Sequence, residues 1–323
     1  GEYVYGYITV LTNGNYVVAS PYWQNGEGMS TGAVTFGNGM TGVTGTISSS
    51  NSLVGSSDGD RVGSYVTELT NGNYVVTSPS WDNGSVVDAG AATFGNGITG
   101  ISGSVTASNS LVGSSDYDYV GDGLVTALTN GNYVVSSLYW DNGSVIDAGA
   151  VTFGNGTTGI TGFISESNSL VGSSDNDYVG GYDGVTALTN GNYIVTSSDW
   201  DNGTVVDAGA VTFGNGTTGV TGLVSVSNSI VGSSEYDLVG SYGEITVLSN
   251  GNYVVSSSHW DNGSVVDAGA ITFGDGHYGV NGEVSAGNSQ IGLGAATIVV
   301  DDTNHNFFAI SDGKVRVYSQ GVV

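Results

Sequence analysis

Along the chain the apolar residues come in short blocks, cut apart by Gly, Asn, Ser and Thr, and none is spaced to line one face of a helix. The block Tyr133-Val134-Val135 is apolar at successive positions, so a strand there has two apolar faces; a strand covered on one side only would alternate. The same block returns along the sequence. Its tyrosine stands at Tyr16, Tyr74, Tyr133, Tyr193 and Tyr253, spaced 58, 59, 60 and 60 residues apart. Seven residues after each tyrosine comes Trp23, Trp81, Trp140, Trp200 or Trp260. A fixed period of this size marks a repeat architecture.

Each repeat carries one Asn-Gly pair before the NYVV-type run and another after the TFG run, which becomes Asp-Gly in the fifth. Asn-Gly between apolar blocks is a hairpin signal, because both central positions of the favoured two-residue turn need positive φ. Four antiparallel strands per repeat follow. In the third copy they are expected at 124–128, 132–137, 148–153 and 159–170, with Gly162 marking a bulge in the last. A strand apolar on both faces packs between two sheets, as in a β-propeller blade. A parallel β-helix fits less well, because a hairpin turn recurs in every repeat. The repeats are read at about 2–57, 58–115, 116–174, 175–234 and 235–293. The stretch TNHNFFAIS from Thr303 is a worn copy of TNGNYVVSS, so 294–323 reads as a closing three-stranded blade. The expected fold is all-β: one domain, 1–323, forming a six-bladed propeller, with a five-bladed ring as the alternative.

The NGNYVV and AGAVTF elements, with Ser20-Pro21 and Ser78-Pro79, resemble the FG-GAP repeat of integrin α-subunit propellers. The whole unit is also similar to a repeat found in large bacterial surface adhesins, haemagglutinin-like proteins among them. The resemblance implies a surface-exposed binding module. The FG-GAP calcium loop, an acidic run between the first and second strands, is replaced here by TNGN, so that calcium site does not carry over.

Composition narrows the partners. Three basic residues stand against 29 acidic ones, a net charge of −26, and Arg61, Lys314 and Arg316 cannot form a nucleic-acid footprint. Anionic membrane surfaces are disfavoured for the same reason, and no apolar run approaches the roughly 20 residues of a spanning helix. There is no cysteine, hence no disulfide or zinc-thiolate site. No secretory leader is read, and the chain is expected to be a mature form or an excised fragment. Gly, at 56 residues, falls at fixed turn positions rather than in a linker. An extracellular place on a bacterial surface is the expectation, as a monomeric module of a larger protein.

Most of the acidic residues fall in two segments, the WDNGxVxDAG loop and the SSDxD connector between repeats, which a blade would carry on one face. Calcium takes six to eight hard oxygens. The candidate metal ligands are Asp58 and Asp60 with Asp82 and Asp88, Asp116 and Asp118 with Asp141 and Asp147, and Asp175 and Asp177 with Asp201 and Asp207. The last set is Asp237, beside Glu235, with Asp261 and Asp267. The same residue types also make Asx-turns and tolerate left-handed backbone. The residue before each tryptophan varies between copies, which marks Tyr22, Tyr139, Asp199 and His259 as candidate ligand contacts. The connector tyrosines Tyr117, Tyr178 and Tyr236 join them. The tryptophans, present in every copy, are expected to be packing elements rather than sugar platforms.

Catalysis is not expected. The histidines lie in different elements, and the carboxylates come as equivalent copies rather than the single close pair a glycosidase needs. The expected function is binding of a glycan or a cell-surface protein through the acidic face, with calcium as candidate cofactor. A rigid stalk spacer is the second expectation and a glycoside hydrolase the third. Six Asn-x-Ser/Thr sequons, at Asn83, Asn142, Asn155, Asn202, Asn215 and Asn262, coincide with turns and are read as turns.

Overall fold

The computed structural model describes residues 6–26, 28–181, 184–241, 243–311 and 313–320, and these contain only strands, turns and loops. The expected start of the first strand, 2–5, and the end of the closing unit, 321–323, lie outside the described residues. Six sheets stand in series, four of five strands, one of four and one of three. All-β is thus the fold class.

The third repeat shows how one sheet is built. Its strands Val125–Ala127, Tyr133–Ser137, Ala150–Gly154 and Ser169–Val171 pair antiparallel in chain order. The second strand is buried along its whole length, as its two apolar faces require. Thr152 and Ser169 close a buried hydroxyl pair, 2.7 Å apart, across the last two strands.

Two local expectations are corrected. The first turn is a three-residue loop, closed by Leu128 N–H to the Asn132 carbonyl at 2.8 Å, and only Gly131 takes positive φ (90°). Asn130 keeps ordinary backbone because its side chain has another task. Its Nδ2 donates to the carbonyls of Gly191 (3.3 Å) and Gly216 (2.7 Å) in the next repeat. Asn132 adds a bond to Gly216 at 2.8 Å, so each asparagine turn clamps the following sheet.

The second correction concerns the expected outermost strand at 159–170. It is broken, and Gly162 is the place where the chain leaves its own sheet rather than a bulge within it. Gly162–Phe163 pairs parallel with Leu111–Val112 of the preceding repeat, and the chain then turns back to form Ser169–Val171. The pairing recurs at Gly103–Ser104, Gly222–Leu223 and Gly282–Glu283. In the first repeat, residues 43–48 carry no strand.

The core lies between sheets. Leu69, Val75 and Leu111 of sheet 2 meet Tyr133, Val135 and Trp140 of sheet 3, with Ile164 of the crossing segment, in one buried cluster. Equivalent clusters join sheets 1 to 2, 3 to 4, 4 to 5 and 5 to 6. Sheets 1 to 5 therefore have a forward face, carrying the leucines, and a backward face, carrying Tyr and Trp. The buried tyrosine lies flat over a glycine of the third strand, where a Cβ on Gly154 would come within 2.1 Å of the Tyr133 ring. Among the described residues no strand pairing joins sheet 1 to sheet 6.

Candidate binding face

The WDNG loops and the SSDxD connectors do share one side of the array. After repeat 2 the connector runs beside its own loop, with Tyr119 N–H on the Asp88 carbonyl (3.0 Å) and Val120 N–H on that of Ala89 (3.1 Å). It then crosses to the loop of repeat 3.

The acidic side chains hold these crossings. Asp118 is fully buried; its Oδ2 accepts from the N–H groups of Ser114 (2.7 Å) and Ser115 (2.8 Å), and its Oδ1 from Asp141 N–H in the next repeat (3.0 Å). Asp60, Asp177 and Asp237 do the same at their own junctions. Burial raises all four carboxyls above the usual range, partly offset by the three amide donors, and takes Asp118 and Asp177 to about 6.

The first acid of each connector faces the other way. Asp58, Asp116 and Asp175 accept from the N–H of Ser30, Val87 and Ile146, at 2.7, 2.8 and 2.8 Å. Within the loops, Asp82, Asp141, Asp201 and Asp261 each accept from the N–H of the aspartate six residues on. Those recipients, Asp88, Asp147, Asp207 and Asp267, sit in left-handed backbone with φ near 50°. Burial, followed by the carboxylate of Asp82 or Asp141, raises Asp88 and Asp147.

Every candidate metal ligand thus lies at a loop crossing, and each except Asp88, Asp147, Asp207 and Asp267 accepts a backbone N–H there. Among the described residues no three acidic or histidine side chains converge as a metal site. In the fold these carboxylates act as staples between loops.

The aromatic candidates separate. Tyr117, Tyr139 and Tyr178 belong to one ladder, completed by Tyr119: ring centroids are 5.9 Å apart from Tyr117 to Tyr119, 6.0 Å on to Tyr139 and 6.0 Å on to Tyr178. Tyr117 and Tyr139 are open to solvent. Asp88 and Asp147 line the ladder through side-chain hydrogen bonds to Tyr119 and Tyr178. Tyr117, Tyr119 and Tyr178 all have positive φ, a backbone that non-glycine residues adopt only where their surroundings impose it. Tyr119 is not among the sequence candidates, although it holds the same connector position as Tyr178, and the YDY spelling of its connector is the signal that points to it.

Tyr22 lies apart, under the Arg61 guanidinium at 5.7 Å. Tyr236 is exposed at the fourth junction. Asp199 bonds Ser198 Oγ (3.2 Å), and His259 Nδ1 lies 3.2 Å from Ser258 Oγ. Beside His259, the buried Glu244 accepts from Ser258 N–H and Oγ, at 2.7 and 2.8 Å, and from Gly240 and Ser241 N–H. Trp81, Trp140, Trp200 and Trp260 are buried between sheets, as expected of packing elements.

Fold and face together define an all-β tandem-repeat protein whose junctions are sewn by aspartate. The chain belongs to the family described as Repeat of unknown function (DUF5650), which matches residues 10–64, 68–122, 127–181, 187–241 and 247–300. No curated protein matches the chain.

Proposed function

We propose that the chain is a non-catalytic binding module of a bacterial surface protein, and that it holds a glycan against the tyrosine ladder of its acidic face. The ladder carries the reading: four rings in continuous contact span two repeat junctions, with carboxylates alongside. Exposed aromatic faces stack on sugar C–H surfaces, and carboxylates accept hydroxyl hydrogen bonds. An extracellular place fits a cysteine-free, strongly acidic chain. Calcium enters as an arm of the test, since Asp88, Asp147, Asp207 and Asp267 accept no backbone amide while the other loop and connector aspartates do.

A glycan array, probed with and without calcium, tests the proposal. Tyr139→Ala and Tyr117→Ala should abolish whatever signal the wild type gives while leaving its melting unchanged. Retention of binding by both variants overturns the ladder as the site. Signal from a basic protein and from no glycan moves the ligand class to protein.

The series of stacked sheets favours a second reading, a rigid spacer, in which no ligand exists and the array sets a length. The finer fold reading, a closed six-bladed ring, would bring sheet 1 against sheet 6. Small-angle scattering separates the two, because a ring is short and hollow while a stack lengthens with each repeat.

A further inference from the structure

We infer that two copies of this chain join head to tail, the backward face of sheet 1 in one packing on the forward face of sheet 6 in the other. The inference stands apart from the ligand reading and rests on the two ends of the array.

Inside the chain one interface is made five times, always with a forward face under the backward face of the next sheet. Sheet 1 carries the same backward-face residues, and no described sheet lies against them. Tyr16, Val18 and Trp23 stand where Tyr74, Val76 and Trp81 stand in sheet 2, but those three are buried and the sheet 1 set is only half-buried. Ile8 pairs with Val18 and Val10 with Tyr16, so both point the same way, and they are 63% and 67% exposed.

Sheet 6 shows the opposite half. Its strands are Thr297–Asp301, Asn306–Ser311 and Lys314–Ser319. Phe307 and Ala309 point back into the cluster with sheet 5. The alternate positions point forward: Val299, Phe308 and Val317 in one cross-strand row, Ile310 and Val315 in the next. Val315 is 59% and Val317 58% exposed. This outward row is apolar throughout, and no described sheet covers it.

The turn asparagines are also present, although Asn304 Nδ2 already donates one hydrogen to its own Asp301 carboxylate at 2.7 Å and has one left for a further bond. Asn304 and Asn306 occupy the positions of Asn71 and Asn73, which bond the Gly131 and Gly156 carbonyls of the following sheet. In a second copy the matching carbonyls are those of Gly14 and Gly39. The two faces therefore match in apolar rows and in polar register. Because the faces differ, the contact is heterologous and extends.

Sedimentation velocity of the purified chain over a range of concentrations tests this. The wild type should show a mass-average that at least doubles with concentration, and more so in high salt, which screens repulsion between copies of charge −26. Ile8→Asp and Val317→Asp should each be monomeric with wild-type melting, since both sites are exposed. An equimolar mixture of the two variants should form dimers and nothing larger, because each retains one good face. If Ile8→Asp disturbs folding, Val10→Asp serves in its place. A wild type that stays monomeric at every concentration overturns the inference, as does association by either single variant or failure of the mixture to pair. A monomer in which the amides of Ile8 and Val317 exchange slowly would show that the chain closes on itself, and overturns it too.

Discussion

Asp118 shows what the acidic residues do at the scale of one side chain. It is a buried carboxylate with three amide donors, two from its own connector and one from the next repeat. Replacing it by Asn turns an NH2 group toward one or two of those donors and leaves them unpaired. Asp118→Asn should therefore destabilise by about 1–3 kcal/mol at neutral pH, measured by urea unfolding. The sign of the pH effect follows from burial. Asp118 and Asp177 are pushed up to about 6, above the unfolded value near 3.9, so the folded chain binds these protons more tightly. Their contribution is full below the unfolded value and is lost as pH rises through 6. The melting temperature should rise by several degrees between pH 7 and pH 4.5 at fixed ionic strength, and less in Asp118→Asn. A melting temperature that falls over that window would show the carboxylates better stabilised charged. Trp140 makes the matching point for packing. Trp140→Ala should cost about 3–5 kcal/mol, as for large buried aromatics. Trp23→Ala should cost much less, because Trp23 is only half-buried.

At the scale of the element, the four-strand repeat and the doubly buried second strand were legible because apolar blocks and Asn-Gly turns are local signals. The broken last strand was not. Nothing local in TTGITGFIS distinguishes a strand that stays in its sheet from one that crosses to a neighbour, since the parallel partner Leu111–Val112 lies about fifty residues back. The acidic face was legible as a place, because the length-variable connectors and the WDNG loops had to share a side. Its roles were less so: a carboxylate that accepts an amide and one that ligates calcium are spelled alike. The turn asparagines illustrate the same limit, since Asn-Gly signals the turn without showing where the Asn side chain goes. Asn130 makes two bonds to the next repeat, so Asn130→Ala should destabilise by about 1–3 kcal/mol, while an exposed turn change such as Thr157→Ala should be nearly silent. Equal effects from the two substitutions would remove the clamp from the account.

At the scale of the molecule, each sheet is covered by its neighbours in sequence, and the five core clusters are formed between consecutive sheets. Stability in such a series is a sum of unit terms and nearest-neighbour interfaces, so damage at one end stays near that end. Deleting 295–323 removes sheet 6 and bares Leu248, Val254, Ile271 and Leu293 on the forward face of sheet 5. Amide exchange should then quicken in the strands Tyr253–Ser257 and Ala270–Gly274 of sheet 5 and fade in effect through sheet 4. The strands Tyr74–Ser78 and Ala91–Gly95 of sheet 2 should keep wild-type protection. A ring responds differently, because losing its closing blade opens two edges at once and weakens sheet 1 as much as sheet 5. Loss of protection in Tyr16–Ser20 equal to that in Tyr253–Ser257 would therefore establish closure and sink the open series. Protection lost evenly over all sheets would show the chain to be one cooperative unit, contrary to the nearest-neighbour account.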